Sequence, residues 1–293
     1  MAPKTTQDSK AVAVGEEQPK AVALVNRDDE GAGFEDMTQD ELAMPFLIIL
    51  QSGSPQVLED SGKYVAGAKP GMFFNTVTQE LYDGREKGVR FIPVHRAQQF
   101  IEWRKRDEGG GLVAVHAPED PFVIEARKTG PRFGKIDLAS KKGHEDNELA
   151  ETFNVPGMLL VDDEQVEPCV LSFTSTAIKH YKRWMTQASS IMGRDAENKR
   201  ARVPLFGHVY LLKTGMEENN DGQKWYGWRI GFASGTADAS RLGQDHELYR
   251  QAKQLREAVM SGTARAATES LTQSEGNAGD APDAPTPAKP GSF

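Results

Sequence analysis

The chain has 293 residues, a net charge of −8 at pH 7 and one cysteine. This length is sufficient to bury a full hydrophobic core, in one large domain or two small ones. The lone Cys169 excludes an internal disulfide framework and a multi-cysteine zinc site. Because the sequence has no run of about 18 apolar residues, it does not predict a membrane-spanning helix. We therefore expect a protein of the reducing cytoplasm with no membrane partner.

The charged residues are arranged in blocks, so the net charge does not describe any one part of the surface. Nine acidic and two basic residues lie between Glu16 and Glu41. Seven basic and two acidic residues lie between Arg85 and Arg106, and six basic residues and one acidic residue lie between Arg127 and Lys142. A bound polyanion responds to charges within a Debye length, about 8 Å at physiological salt. The acidic net charge is therefore compatible with nucleic-acid binding.

In chain order, the sequence predicts one folded region between two disordered segments. Residues 1–41 carry many acidic and almost no large apolar side chains, which predicts a disordered acidic arm. Residues 42–262 form the predicted folded domain, in which residues 125–150 are a long basic and acidic excursion. Residues 263–293 are rich in Ala, Thr, Gly and Pro, which predicts a disordered tail.

Apolar runs and turn signals predict short strands and two helices inside the folded domain. The predicted strands are Pro45–Leu50, Pro70–Thr78, Gly88–Val94, Phe100–Arg106, Leu112–Ala117, Val155–Val161, Val166–Phe173, Pro204–Thr214 and Gln223–Phe232. The predicted helices, Thr174–Met192 and Gln244–Ser261, carry apolar residues at three- and four-residue steps. The strands cluster without βαβ alternation, which favours an α+β fold with an OB-like, mainly antiparallel β-barrel core.

Basic and aromatic side chains occur together in the first predicted helix and in the last predicted strand. Proteins that bind single strands combine cations, which hold phosphates, with flat aromatic faces, on which bases stack. The candidate residues are Lys179, Lys182, Arg183, Trp184, Trp225 and Arg229. The alternative is that the aromatic residues pack in the core and the basic residues only keep the surface solvated.

A second basic cluster lies on two earlier predicted strands. Its candidate nucleic-acid-binding residues are Arg90, Trp103, Arg104 and Lys105. With the first cluster it would line a groove in which bases stack on Trp103, Trp184 and Trp225. The alternative is an ordinary amphipathic strand with solvated Arg and Lys side chains.

Motifs for catalysis or metal binding are missing from the sequence. The six histidines are scattered, and neither Asp162-Asp163-Glu164 nor His144-Glu145-Asp146 has the spacing of a defined metal site. The triplet Gly109-Gly110-Gly111 lacks the spacing of a phosphate-binding loop. We therefore expect a protein that is not an enzyme and has no metal ion or cofactor, and a metal-dependent nuclease has little support.

Several segments, spread over residues 42–262, carry a resemblance to a known group of proteins. The runs LSFTSTAIKHYKRWMTQA, RVPLFGHVYLLKT and KWYGWRIGF, which begin at Leu171, Arg202 and Lys224, resemble proteins encoded in replication gene clusters of tailed bacteriophages. Those proteins are regarded as single-stranded DNA-binding proteins. The resemblance implies an OB-like core, a location in the cytoplasm of the infected bacterium, and partners among phage replication or recombination proteins.

These observations lead to two functional hypotheses. The first is a non-catalytic single-stranded DNA-binding protein that acts in phage DNA replication or recombination. The alternative is a structural or assembly protein of a phage particle or replication compartment, whose basic faces would meet an acidic partner protein. The sequence leaves homo-oligomerisation open. Salt-dependent binding to oligo-dT would favour the first hypothesis, and oligomers that ignore DNA would favour the second.

Overall fold

A computed structural model describes residues 43–130, 134–162 and 165–267. The predicted acidic arm, residues 1–41, lies outside this part of the chain, and so do residues 268–293 of the predicted tail. The α-helices are α1 (Pro121–Thr129), α2 (Ile178–Ser190) and α3 (Glu247–Ser261). The strands are β1 (Ala43–Met44), β2 (Leu47–Ile49), β3 (Phe73–Asn75), β4 (Leu81–Tyr82), β5 (Val89–Pro93), β6 (Ala97–Arg104), β7 (Leu112–His116), β8 (Lys135–Asp137), β9 (Asn147–Leu160), β10 (Val166–Thr174), β11 (Met192–Arg194), β12 (Arg200–Arg202), β13 (Tyr210–Glu218), β14 (Lys224–Phe232) and β15 (Arg265–Ala266).

The main sheet is built around the long strand β9. Its strand order is β14-β13-β5-β9-β6-β7, in which β5 and β6 pair with successive stretches of one edge of β9. Strands β10 and β8 pair with the other edge of β9. Every strand pair in this sheet is antiparallel. The sequence therefore folds as a mixed α+β protein in which antiparallel sheet dominates, as its strand clustering predicts.

A bulge between β5 and β6 bends the sheet beside β9. The backbone N–H groups of Val94 and His95 both donate towards the carbonyl oxygen of Pro156, at 2.9 and 3.5 Å. Opposite the bend, a Cβ atom on Gly157 would lie only 2.3 Å from the ring of Phe91. Glycine is thus required at this position, because only a residue without a side chain permits so close an approach. The bend turns Arg96 to the surface.

Helix α2 packs its aromatic side chains against the inner face of the main sheet. Tyr181 and Trp184 are buried there with Phe173 of β10, whose ring centroid lies 5.6 and 6.1 Å from theirs. Trp228 of β14 packs 5.2 Å from the same phenylalanine ring. This large aromatic cluster orients α2, so that Lys182 and Arg183 remain exposed.

The outer face of the main sheet is covered by two other groups of elements. The β2-β3-β4 sheet and β1 bury Phe46 and Ile48 against Ile101 and Trp103 of β6. On the other part of the face, α3 buries Ala252 against strands β5 and β9. Strand β15 pairs in parallel with β1, so the folded region continues to residue 267, beyond the predicted boundary at 262.

The predicted barrel does not close through strand pairing among the described residues. Instead, the side-chain amide of Gln51, just after β2, bonds to the backbone of Tyr226 in β14. Its Nε2 donates to the carbonyl oxygen at 2.9 Å, and its Oε1 accepts from the N–H group at 2.8 Å. A side chain therefore takes the place of a neighbouring strand at this edge.

The predicted excursion over residues 125–150 is more regular than the sequence indicates. It contains the second half of α1, all of β8 and the start of β9. The described chain therefore has three α-helices, one more than predicted. The missed helix α1 buries only Val123 and Ala126, so its apolar periodicity is weak. Its start is nevertheless marked by Asp120, which accepts a hydrogen bond from the Phe122 N–H group, and by a proline at the first position.

Candidate functional site

The three tryptophans predicted to stack on bases are buried. The exposed fraction is 0% for Trp103, 2% for Trp184 and 6% for Trp225. Trp103 lies beneath the β1–β3 segment, and Trp184 lies in the aromatic cluster of α2. A base can stack only on an accessible ring face. The predicted stacking role of these three residues is therefore wrong for this conformation, because each ring serves the packing of the fold.

Two of the predicted phosphate-binding cations surround a buried carboxylate. Lys179 Nζ lies 2.8 Å from Glu217 Oε2, and Arg229 Nη1 lies 2.5 Å from Glu217 Oε1. Burial alone would raise the pKa of Glu217, but the contacts from Lys179 and Arg229 outweigh it and hold that pKa below its usual value. Lys179 also lies 5.9 Å from the centroid of the Trp225 ring. Both cations thus have a partner within the fold, although the single charge of Glu217 compensates only one of their two positive charges.

The second predicted cluster also contains cations with partners inside the fold. Arg90 donates from Nη2 to the carbonyl oxygen of Asp162, and Lys105 pairs with Asp137 at 2.7 Å. Arg104 is exposed and forms no ion pair within the described chain. Arg90, Arg104 and Lys105 line none of the cavities described below. These three residues therefore do not form the predicted groove between the two clusters.

A cleft with a volume of about 900 Å³ opens beside the bend between β5 and β6. Its walls come from that bend, from α2, from the chain after β12 and from α3. We call it the basic cleft. It is lined by Val94, His95, Arg96, Phe153, Tyr181, Lys182, Met185, Thr186, Ala188, Ser189, Arg202, Val203, Leu205 and Arg256.

Positive charge dominates the basic cleft. Four cationic side chains line it, and no Asp or Glu is among the described residues in its walls. Arg96, Arg202 and Arg256 are exposed and form no ion pair within the described chain. Burial, Arg256 and Arg96 together hold the pKa of His95 below its usual value. The cleft therefore offers several unneutralised cations to an anionic ligand.

The floor of the basic cleft is apolar and its rim is partly hydroxylic. Phe153 is buried and Met185 is half-buried, whereas Thr186 and Ser189 are exposed. Such a surface can hold phosphates at the cations and place less polar groups against the floor. Of the residues predicted from the sequence, only Lys182 lies here. Arg96, Arg202 and Arg256 were missed, because each lies on a different element and only the tertiary fold brings them together.

The comparison with known families adds one finding. A family model described as Pam3 phage gp34-like protein matches residues 14–265. The chain belongs to this family. It is thus a phage protein, which confirms the phage part of the resemblance. No curated protein and no solved structure matches the chain.

A second titratable cluster of this gp34-like protein lies around Glu102 of β6. This carboxylate is buried, with His116 Nε2 2.9 Å from Oε2 and His144 Nδ1 2.5 Å from Oε1. Asn147 also donates to Oε1. The ring of Phe122 packs against both histidines, at 5.1 and 4.6 Å between centroids. Across the part of the chain that the structure describes, no group of three or more His, Cys, Asp or Glu residues has metal-binding geometry.

Within residues 43–130, 134–162 and 165–267, no helix combines the length and the apolar character needed to cross a membrane.

Proposed function

We propose that this phage protein is a non-catalytic single-stranded DNA-binding protein of phage DNA replication or recombination, and that the strand lies in the basic cleft. One observation carries the proposal: four cationic side chains from separate elements converge there, and no carboxylate is among the described lining residues. The proposal places the protein in the cytoplasm of the host cell. Its partners would be the DNA and the replication or recombination proteins that act on it.

The chemistry of the cleft fits a phosphate backbone. Each cation that contacts a phosphate releases condensed counterions, which drives association and makes the affinity depend on salt. Exposed arginines without an internal partner are suited to this role, since they need not break an ion pair to bind. Arg96, Arg202 and Arg256 meet that condition within the described chain, whereas Lys179 and Arg229 do not.

The strand order supports an OB-like core. Strands β10, β9, β5, β13 and β14 are neighbours in that order, and all four pairs are antiparallel. Helix α2 lies in the chain between β10 and β13. Five strands in a partly open barrel, with a helix between strands, are typical of the OB-fold, which often binds oligonucleotides. The amide of Gln51 stands at the open edge of this arrangement.

The position of the cleft follows from which surfaces are covered. OB-folds often bind oligonucleotides on the face of their second and third strands. The corresponding strands here are β9 and β10, and their outer face is covered by the β1–β3 segment and α3. The basic cleft lies at the margin of that cover and stays open, which favours it as the place where a strand would bind.

An assembly or structural role is the second candidate function, and one feature favours it. Strand β7 lies at an edge of the main sheet, and Val113 and Val115 on it are 43% and 44% exposed. An exposed apolar edge strand is suited to pairing with another chain. If this role is the main one, the protein should self-associate or bind an acidic protein whether or not DNA is present.

The experiment is a fluorescence anisotropy titration of labelled oligo-dT of about 16 nucleotides, a length within the range known for OB-folds. We expect binding that weakens as salt increases. The double variant Arg96→Gln, Arg256→Gln should bind about 25-fold more weakly at about 0.1 M salt, since each lost phosphate contact lowers the salt slope by roughly 0.7. Lys253→Gln is the matched control, because Lys253 is exposed on α3 but does not line the cleft.

Three results would contradict the proposal. The first is the absence of binding at low salt, and the second is an affinity that does not change with salt. The third is a loss of about fivefold in Lys253→Gln, the share expected of one lost charge in the double variant, which would indicate a general effect of net charge rather than a site. Because the substituted side chains are exposed, unchanged thermal unfolding is expected and should be checked for every variant.

A further inference from the structure

Two smaller cavities continue from the basic cleft around the hairpin of β11 and β12. The first, of about 360 Å³, shares Arg202 and Val203 with the cleft. The second, of about 520 Å³, shares Gly193, Arg194 and Arg241 with the first. Shared lining residues mean that the three cavities are neighbours around this hairpin.

The β11–β12 hairpin presents arginines on one of its faces. It is an antiparallel pair in which Arg194 lies opposite Arg200, and Met192 lies opposite Arg202. Residues that lie opposite each other, or two apart on one strand, point to the same face. Arg194, Arg200 and Arg202 therefore share one exposed face, which we call the arginine face.

Such an arrangement is unfavourable without an anion. Like charges directly opposite each other on paired strands destabilise the pair. Arg194 relieves part of this by donating from Nη1 to the carbonyl oxygen of Asn198, at 2.8 Å. Arg200 and Arg202 form no ion pair within the described chain. A bound phosphate would remove the repulsion and use the two free guanidinium groups.

A fourth arginine, Arg241, approaches the hairpin from the chain before α3. A Cβ atom on Gly193, which would point to the side opposite the arginine face, would lie 2.7 Å from Arg241 Nη2, so the glycine leaves room for the guanidinium group there. Arg241 is exposed and lines both smaller cavities. Because Arg200 lines the second of these cavities as well, the two arginines meet at one cavity from the two sides of the hairpin.

One carboxylate, Asp195, is among the described residues that line these two cavities. Its Oδ1 accepts hydrogen bonds from the N–H groups of Glu197 and Lys199, at 3.0 and 2.8 Å. That carboxylate therefore holds its own turn, as aspartate commonly does. Four arginines against one engaged carboxylate leave the surface strongly positive.

From this geometry we infer a second phosphate-binding subsite, formed by Arg200 and Arg241 with the arginine face, that continues the basic cleft. The inference rests on the proposed single-stranded DNA binding and extends it. A short oligonucleotide fills the cleft alone, whereas a longer one also covers the hairpin. The length of the DNA thus decides whether the second subsite contributes to affinity.

The test compares two lengths of labelled oligo-dT, about 4 and about 16 nucleotides, which bracket the site sizes of OB-folds. The double variant Arg200→Gln, Arg241→Gln is measured against the wild type and Lys253→Gln by anisotropy. For the long oligonucleotide, we expect about 25-fold weaker binding at about 0.1 M salt and a salt slope lower by about 1.4. For the short one, the variant should bind within about twofold of the wild type. Arg200→Gln alone should lose about fivefold on the long oligonucleotide.

The outcomes separate this inference from the function on which it rests. If the wild type binds neither oligonucleotide, the proposed function fails and the subsite fails with it. If the wild type binds both and the double variant binds the long one normally, only the subsite is wrong. An equal loss for both lengths would also overturn the subsite, because it would indicate that the arginines act through the general field.

Discussion

Replacing Glu102 with glutamine should destabilise the fold by about 2–4 kcal/mol at about pH 7. The carboxylate is buried and receives contacts from His116, His144 and Asn147. Hydrogen bonds to a charged group contribute about 1.5–3 kcal/mol each, and glutamine keeps the volume but has only one accepting oxygen. At least one histidine would then face an amide N–H₂ group, to which its ring cannot donate.

The same substitution should change how stability depends on pH. Burial alone would raise the pKa of Glu102, but the hydrogen bonds from His144, His116 and Asn147 outweigh it and hold that pKa below its usual value. A carboxylate with a lowered folded-state pKa stabilises the fold above its unfolded pKa, and this contribution is lost as pH falls through the folded value. The glutamine variant cannot titrate, so its stability should fall less on acidification.

Urea unfolding followed by tryptophan fluorescence at about pH 7 and about pH 4 measures both effects. Glu119→Gln is the matched control, because Glu119 is exposed and the substitution removes the same charge. An exposed substitution of this kind should stay within about 0.5 kcal/mol of the wild type. A loss below about 1 kcal/mol in Glu102→Gln, or a pH dependence equal to that of the wild type, would refute the reasoning.

Two further predictions concern the aromatic cluster and the basic cleft. Trp184→Ala should destabilise the fold by about 3–5 kcal/mol in urea unfolding, since it empties a buried site beside Phe173 and Tyr210; a stable variant that fails to bind oligo-dT would instead restore the stacking role. Oligo-dT affinity should rise as pH falls from about 7 to about 5. Burial and the nearby arginines hold the pKa of His95 below 6.5 in the free protein. A phosphate bound at the cations of the basic cleft would offset that repulsion and favour the protonated, positively charged histidine. In the free protein the same lowered pKa makes His95 contribute to a fall in stability as pH drops below 6.5, and His95→Gln should remove this contribution and the pH dependence of binding. An unchanged pH profile of binding in that variant would count against the role of His95.

The sequence predicts well those elements whose own periodicity is strong. Helix α2 lies within the predicted Thr174–Met192, and β14 lies within the predicted Gln223–Phe232. Its hairpin partner β13 begins inside the predicted Pro204–Thr214 but runs past it to Glu218. The helix and the hairpin have apolar residues at a clear step and clear turn residues at their ends. Helix α1 has two buried residues in nine, so periodicity alone was too weak a signal for it.

The faces of β14 could not be predicted in the same way. Alternation places Trp225 and Arg229 on one side and Tyr226 and Trp228 on the other, and a strand in a simple sheet exposes one of those sides. Here Trp228 lies in the core, and Trp225 is buried as well, beside Lys179. Lys179 and Arg229 both pair with Glu217 on that side of the strand. Because Glu217 belongs to β13, the pattern of β14 alone does not predict these contacts.

Runs of basic residues in the sequence did not predict most of the cations that line the basic cleft. The predicted cations came from runs such as Arg104–Arg106 and Lys182–Arg183, yet Arg96, Arg202 and Arg256 lie 54 or more residues apart in the chain. A run of bases places its charges on different faces of its own element, whereas a binding site needs charges from several elements on one surface. Only the pairing of the strands and the docking of α3 determine which bases meet.

Helix α3 connects the stability of the fold to the charge of the cleft. Its residue Ala252 is buried over Ile92 and Met158 on the outer face of the main sheet, while Arg256, one turn later, lines the basic cleft. The helix that covers part of the outer face of the main sheet thus also supplies a cation to the basic cleft. The docking of α3 therefore affects both the stability of the fold and the positive charge of the basic cleft. A change that loosens α3 should weaken both together. A loss of binding in Arg256→Gln is consequently assignable to the cation only when α3 stays docked, which an unchanged unfolding transition of that variant would show.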